Sequence, residues 1–168
     1  MRLGLSKLLP ARRITREEHD WDKGFPNAAA DVQAFLVGAM VTEVRRRAKV
    51  LIIDLDTDYS LVVHLKMTGQ LVFRSATERF GAGHPNDSLV GDLPDKSTRV
   101  TFTFHDGSKL FFNDQRKFGW MRLLPTLEVE QLDFFRKVGP EPLGASFSAE
   151  DFIARLQRRK NSGIKAVL

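Results

Sequence analysis

The sequence predicts an α+β fold that is mainly β, with an antiparallel β-sandwich flanked by a few helices. Residues 99–104 alternate apolar Val and Phe with polar Thr, which is typical of a half-buried strand. Asp106-Gly107 is a strong hairpin signal that leads into the next apolar run. Most of the strand patterns are joined by short turns, and short connections favour antiparallel pairing.

One helix is predicted before the strands. Residues 1–26 show no clear periodicity, and we expect an irregular N-terminal segment there. Asn27 can cap a helix over residues 28–37, in which three apolar residues share one face. Gly38 then supplies the stop.

The strands follow as apolar and β-branched runs separated by turn residues. The predicted strands are residues 41–44, 50–55, 60–65, 70–73, 99–104, 109–112 and 118–124. The interval 74–98 is rich in Gly and Pro and too long for a simple connection, so we expect a long functional or mobile loop. The sandwich domain is predicted to cover residues 27–145.

Two more helices are predicted near the end of the chain. The first covers residues 126–138 and is ended by a Gly-Pro pair. The second begins at Ser148, with Asp151 three residues on as a partial capping box. We expect residues 146–168 to begin a helical linker toward a C-terminal domain that this sequence does not contain.

Composition limits the class of protein. A length of 168 residues suits one domain, and 42% apolar with 28% charged residues is typical of a globular protein in water. The sequence has no cysteine, which excludes disulfides and cysteine-ligated zinc within it, and its four histidines are scattered, so we expect no metal site. Without an apolar stretch of about 20 residues or a signal sequence, the expected location is the cytoplasm, with no membrane contact.

Basic clusters among the strand patterns point to nucleic acid. Residues 45–49 carry four cations directly before an apolar strand, and residues 114–120 place cations beside aromatics between two apolar runs. Cations fixed at strand ends next to aromatic rings suit a polyanion with exposed bases. The alternative is a structural domain with a solvated basic face.

Lys49 is the one candidate for amine chemistry. A lysine near apolar surface and other cations can have its pKa lowered, which would make it an acid, a base or a nucleophile. The alternative is an ordinary lysine at a strand end, and this residue alone favours that alternative.

The segment 64–69 ends a strand in a turn. His64 and Lys66 are candidate phosphate contacts, and an apolar Met67 exposed on the turn could unstack bases. Methionine in such a place more often packs in the core, so without other evidence the residues favour a core position for Met67.

Arg116 and Phe118 lie two residues apart and project to the same side of an extended segment. An arginine that fills a vacated base position beside a stacking aromatic is what a base-extruding protein requires. The alternative is an exposed arginine with a core phenylalanine. Lys117 between them adds a cation, and Arg159 and Lys160 are candidate phosphate contacts at a helix end.

Five motifs occur in one order along the chain: residues 46–49, 64–69, 114–119, 139–143 and 160–165. With them, the chain resembles the formamidopyrimidine-DNA glycosylase family, which includes endonuclease VIII, from about residue 25 to residue 168.

The resemblance implies a two-domain base-excision-repair enzyme that removes oxidised purines and nicks the abasic strand. In that family an N-terminal proline amine attacks C1′ to form a Schiff base, and the following glutamate acts as acid and base. By motif, Lys49 resembles the lysine that assists this chemistry. Met67, Arg116 and Phe118 resemble the residues that fill the gap left by the flipped base, and Arg99, Arg159 and Lys160 fall near DNA contacts. The implied partner is double-stranded damaged DNA, bound by a monomer.

The sequence also departs from the family. It begins Met1-Arg2 without a proline-glutamate pair, and we expect the family's first helix to be missing. The family's helix–two-turn–helix and four-cysteine zinc finger are not in this sequence, so we expect no cofactor in the chain itself. We therefore expect weak or no activity from the chain alone. The competing interpretation is a non-catalytic DNA-binding module.

Overall fold

Nine strands form two antiparallel sheets in the computed structural model, which describes residues 1–136, 138, 139, 141, 144, 147–158 and 161–163. The strands are β1 (Ile14–His19), β2 (Val41–Arg47), β3 (Val50–Leu55), β4 (Tyr59–His64), β5 (Gly69–Arg74), β6 (Arg79–Gly83), β7 (Thr98–Phe104), β8 (Lys109–Asp114) and β9 (Trp120–Pro125). One sheet has the order β1-β7-β8-β5-β6 and the other β2-β3-β4-β9. This confirms the predicted fold class of an antiparallel sandwich with a few helices.

The chain also forms short helices. They are α1 (Arg2–Leu8), α2 (Ala29–Asp31), which continues as a π-helical turn (Val32–Leu36), α3 (Asp133–Arg136) and α4 (Ala149–Gln157), with 3₁₀ turns at Asp87–Leu89 and Thr126–Gln131. The chain divides into two units, Met1–Arg136 and Lys137–Leu168, and both sheets belong to the first.

The main core lies between the sheets. Alternate residues of the central strands, such as Leu71 and Phe73 of β5 and Leu110 and Phe112 of β8, are buried there. β3 and β4 are buried on both faces, because a second cluster packs on the other side of their sheet. That explains the unbroken apolar run at the start of β3, since a strand covered on both faces has no polar side to alternate with.

The N-terminal segment is regular, which corrects the expectation of an irregular segment over residues 1–26. The chain opens with α1. Leu5 and Leu9 are fully buried in the main core, and β1 pairs along β7. β1 buries only Ile14 fully and leaves most of its other residues exposed, so its sequence carries no alternation to detect.

The predicted helix at residues 28–37 is confirmed as α2 and its π-helical continuation. Gly38 ends it with a positive φ of 89°. Asn27 is not its cap. Its amide instead donates to the carbonyl of Met121 at 3.2 Å and accepts from the backbone N–H of Leu123 at 2.8 Å. Asn27 therefore fastens the approach to this helix onto β9.

The interval 74–98 is only partly a loop, because β6 pairs with β5 as a hairpin. The sequence did not predict β6, because the glycines in this strand are untypical of a strand pattern. Gly83 has a φ of 131°, and a Cβ there would overlap the carbonyl oxygen of Gly69. A residue with a side chain could not approach β5 so closely.

The rest of that interval is fastened by the carboxylate of Asp95. Asp95 accepts hydrogen bonds from the hydroxyls of Ser88 at 2.6 Å and Ser97 at 2.7 Å, and from the backbone N–H of Ser97 at 2.7 Å. Burial alone would raise the pKa of Asp95, but these bonds together lower it below its ordinary value. The carbonyl of Ser97 in turn accepts from the backbone N–H of Asp114 at 2.8 Å.

The helix predicted over residues 126–138 is broken in two. A 3₁₀ turn and the short α3 replace it, and Leu132 lies between them with ψ 134°. Both pieces cover the outer face of the four-stranded sheet through Val129 and Phe135. The predicted cap of α4 is confirmed, since the hydroxyl of Ser148 accepts from the backbone N–H of Asp151 at 3.0 Å.

Candidate nucleic-acid interface

Two loops carry half of the predicted site residues, and each joins one sheet to the other. Residues 65–68 connect β4 to β5, and residues 115–119 connect β8 to β9. We call them the corner loops. β5 and β8 are neighbours, with Gly69 paired to Asp114, so the two corner loops leave the same end of the sandwich side by side.

A single carboxylate joins the corner loops. Asp114 is fully buried, and it accepts from the backbone N–H groups of Arg116 at 3.2 Å, Phe118 at 2.8 Å and Gly119 at 2.7 Å. It also accepts from the hydroxyl of Thr68 in the other loop. Charge-assisted bonds of this kind are stronger than neutral ones, so Asp114 fixes the shape of one loop and its distance from the other.

Gly119 allows the second corner loop to lie against the core. A Cβ on this residue would come within 2.7 Å of the ring of Phe112 and 3.1 Å of the carbonyl oxygen of His64. Neither neighbour can move freely, because both are in the sheets. The close approach therefore requires glycine.

Met67, Arg116 and Phe118 meet on the surface, and we call them the exposed trio. The Nη1 atom of Arg116 lies 3.8 Å from the sulfur of Met67, and its guanidinium carbon lies 4.8 Å from the centre of the Phe118 ring. Met67 is 68% exposed and Phe118 is 52% exposed. The interpretation of Met67 as a core residue is therefore wrong, as is the alternative of a core Phe118.

Two left-handed residues shape the corner loops. Lys66 has φ 52° and Lys117 has φ 57°. This conformation is uncommon for residues other than glycine, asparagine and aspartate, so the surrounding hydrogen bonds must impose it. In each loop the left-handed residue lies directly beside a member of the exposed trio.

A cationic cluster of Lys49, His64 and Lys66 accompanies the trio. Lys49 is exposed in the two-residue turn between β2 and β3, next to Ala48 with φ 50°. Burial chiefly, and then the positive charges of Lys66 and Lys49, lower the pKa of His64. The neutral ring is fixed in one tautomer, because Nδ1 accepts from the backbone N–H of Lys66 at 2.9 Å and the proton remains on Nε2.

Arg99 differs from the other predicted contacts because it is only 7% exposed. Its Nε donates to the carbonyl of Asp114 at 3.0 Å, its Nη1 to the carboxylate of Asp20 at 2.6 Å and its Nη2 to the carbonyl of Lys96 at 2.5 Å. Arg99 thus supports the strand end that carries Asp114. Its direct contact with DNA stays a prediction, and Arg159 and Lys160 lie outside the described residues.

Sequence reasoning missed Trp21, whose ring centre lies 5.9 Å from the Nζ atom of Lys117. The residue stands alone among polar neighbours, and only its proximity to Lys117 in the fold reveals it. No group of three metal-ligating side chains occurs among the described residues. In the same part of the chain, none of the helices has the length and apolar character of a membrane span.

Comparison with known proteins agrees with this geometry. Residues 1–121 match the model of the formamidopyrimidine-DNA glycosylase N-terminal domain. A formamidopyrimidine-DNA glycosylase of Caulobacter sp. (strain K31) is 36% identical over 170 residues, which cover all of this chain and 58% of that protein. One from Roseobacter denitrificans is 36% identical over 156 residues, covering 92% of this chain and 50% of the relative.

Solved structures give the same result. Lactococcus lactis Fpg (MutM) in complex with a DNA containing N7-benzyl-Fapy-dG matches with a TM-score of 0.74 and 25% identity, over 94% of this chain and 53% of that one. MutM in complex with a DNA containing carbocyclic 8-oxo-G matches equally well, with a TM-score of 0.74 and 25% identity over the same 94% and 53%. The chain thus spans between 50% and 58% of the length of these relatives. It belongs to the formamidopyrimidine-DNA glycosylase family.

Proposed function

We propose that the protein belongs to base-excision DNA repair, in which the whole enzyme is an N-glycosylase that removes oxidised purines with an associated lyase that cleaves the abasic strand by β-elimination. This chain alone would have weak or no activity. The observation that carries the proposal is the exposed trio, in which an arginine, a thioether and an aromatic ring meet at the end of a rigid sandwich. The relatives are glycosylases, and the solved neighbours are bound to damaged DNA.

The exposed trio suits a duplex from which one nucleotide has been turned out. Removing a base from the stack costs a few kcal/mol, least where the base is damaged or missing. Arg116 would occupy the vacated position, with Met67 beside it, and Phe118 would stack on a neighbouring base. A base–aromatic stack contributes about 1–3 kcal/mol, enough to offset much of that cost.

The cationic cluster would bind the backbone beside the gap. Lys49 and Lys66 carry two positive charges near His64, whose neutral ring keeps an Nε2 proton for donation to a phosphate. During β-elimination negative charge develops on the departing phosphate, and preorganised donors stabilise such charge. Lys49 presents an exposed amine and is the proposed assisting residue.

A non-catalytic module that binds damaged DNA is the alternative function. The observation favouring it is the position of Lys49, which is exposed on a turn as an ordinary strand-end lysine would be. DNA distortion by the trio needs no such amine. The two functions share the same DNA-binding surface and differ only in the chemistry that follows.

Borohydride trapping on a duplex with one abasic site separates the two. The wild-type chain is compared with Lys49→Ala and with a chain whose α-amino group is blocked. An adduct lost in one of these identifies the amine, and an adduct that persists when both are removed contradicts the proposed roles.

No adduct from a folded protein that still prefers the abasic duplex supports the non-catalytic module. No preference for the abasic duplex over an intact one refutes both functions.

A further inference from the structure

A third loop lies beside the corner loops and has no part in the function described so far. It follows β1, and its first residue, Asp20, is bonded to Arg99 through both backbone and side chain. Farther on, the carbonyl of Gly24 accepts from the backbone N–H of Met121 at 2.8 Å, two residues beyond Gly119. The loop is thus fastened to β7 and β9 at the end where the second corner loop leaves the sandwich.

Trp21 lies at the surface of this loop and is not the residue that anchors the loop to the core. Phe25, only 1% exposed, is the apolar anchor and contacts the ring of Phe102 at 6.2 Å between centres. Trp21 packs over Gly24, where a Cβ would overlap the indole, and it remains partly exposed. A large aromatic residue left partly in water, on a loop already anchored by another, is available for contact with a ligand.

Lys117 brings charge to the same place. Its Nζ lies 5.9 Å from the centre of the indole, and its neighbours in sequence are the two exposed-trio members of the second corner loop. Cations thus lie beside aromatic rings twice in succession, Arg116 by Phe118 and Lys117 by Trp21. Aromatic rings interleaved with cations are the pattern that binds unstacked nucleotides.

We infer that Trp21 and Lys117 form a second nucleotide platform, on which the indole stacks with a base flanking the gap while the ammonium meets its phosphate. This inference rests on the proposed function and extends it, because the trio would fill the gap and the platform would hold the distorted strand next to it. Stacking on an indole is tolerant of sequence, so the platform suits every flanking base.

Tryptophan fluorescence tests the inference directly. The chain has two tryptophans, so the variant Trp120→Phe reports on Trp21 alone. We expect its emission to be quenched on titration with a short duplex containing one abasic site. Because Trp120→Phe can disturb β9, the same titration compares the wild type with Trp21→Phe, and the difference in quenching again belongs to Trp21.

Binding measurements complete the test. Trp21→Ala should weaken the affinity for the abasic duplex at least about fivefold, the smallest effect expected from loss of a base–aromatic stack, whereas Trp21→Phe should keep most of it. Lys117→Ala should reduce the slope of log affinity against log salt by about 0.9, the effect of one phosphate contact. Unquenched emission together with unchanged affinity in Trp21→Ala would overturn the inference.

Two further variants separate this inference from the proposed function. Leu127→Ala removes a side chain that is 88% exposed, near the β3–β4 turn at the far end of β4 from His64, and should leave affinity unchanged. Arg116→Ala tests the trio. If it lowers affinity while Trp21→Ala does not, the platform fails and the proposed function stands. If neither lowers affinity, the proposed function fails as well.

Discussion

The hydroxyl of Thr68 donates a hydrogen bond to the carboxylate of Asp114 across 46 residues of sequence. This bond joins the two corner loops beneath the exposed trio. On the Asp114 side the carboxylate also receives three backbone N–H groups of its own loop. The buried carboxylate of Asp114 therefore fixes the separation between Met67 and Arg116.

Asp114→Ala should lower both stability and DNA affinity. The substitution leaves several buried donors without an acceptor, and each such loss costs about 1–3 kcal/mol. We expect the free energy of unfolding to fall by about 3 kcal/mol or more in chemical denaturation. Thr68→Val is the matched control, because it removes one of these bonds and keeps the shape, and it should cost only about 1 kcal/mol. Equal effects of the two variants would contradict the central role of the carboxylate.

Arg116→Ala should reduce the discrimination between abasic and intact DNA more than it reduces overall DNA affinity. The side chain is exposed and contacts its partners in the trio, so its loss leaves the fold intact. We expect the preference for an abasic duplex over an intact one to fall about tenfold in competition binding, since the vacated position is no longer filled. Binding to intact DNA should change far less. A uniform loss on both duplexes would instead identify Arg116 as a phosphate contact.

Lys66→Ala should change the salt dependence of binding. A contact with one phosphate contributes about 0.9 to the slope of log affinity against log salt on duplex DNA. Lys109→Ala is the matched control, because Lys109 is also exposed but begins β8, at the opposite end of that strand from Asp114. Its slope should equal that of the wild type, and a reduced slope in the control would place the DNA elsewhere on the protein.

Stability should depend on pH through His64. Burial chiefly, and then Lys66 and Lys49, lower the pKa of this residue below its ordinary value of 6.5. The unfolded chain therefore takes up a proton at a pH where the folded protein does not, and stability that is complete above pH 6.5 is lost as the pH falls toward the folded pKa.

Denaturation between about pH 7.5 and about pH 5.5 checks this expectation. The wild type should lose stability over this range, and His64→Gln should lose less. In an NMR titration, Lys66→Ala should move the pKa of His64 upward, because it removes one of the positive charges near the ring. An unchanged or lower pKa would contradict the close placement of the cationic cluster.

Gly119→Ala should disturb the second corner loop although it adds a single methyl group. The new carbon would meet the ring of Phe112 at 2.7 Å and the carbonyl of His64 at 3.1 Å. We expect a loss of about 1–3 kcal/mol in stability, as for overpacking elsewhere, together with weaker DNA binding. Gly107→Ala is a useful comparison, because its hairpin site has open space around the new Cβ and a positive φ of 79°, so any loss there comes from the backbone alone.

Most strands of the sandwich were predictable because the pattern of apolar residues in the sequence reflects which side chains are buried. β7 alternates buried and half-buried residues and β3 begins with four apolar residues, and both patterns are visible without the fold. β1 and β6 were missed because they lie at the two edges of one sheet, where few side chains are buried. Edge strands are specified by their partners more than by their own residues.

The members of the candidate site were proposed from the sequence, but the contacts that support them could not be predicted from it. The motifs identify Met67, Arg116 and Phe118, and the turn-rich sequence around each explains why they are exposed. The bond from Thr68 to Asp114 and the contact of Trp21 with Lys117 join residues far apart in sequence. No local pattern encodes such pairs, because they exist only once the sheets have packed.

The crossings between the sheets also make the proposed DNA-binding surface sensitive to mutations that lie far from it. One end of each corner loop continues into the five-stranded sheet and the other end into the four-stranded sheet. The two ends of the loop therefore move relative to each other whenever the sheets slide or separate. A smaller side chain at Phe112, deep between the sheets, would loosen the packing that holds the two sheets in position. Inherited or engineered variants of the interior should therefore weaken the proposed DNA binding at temperatures where the molecule is still folded.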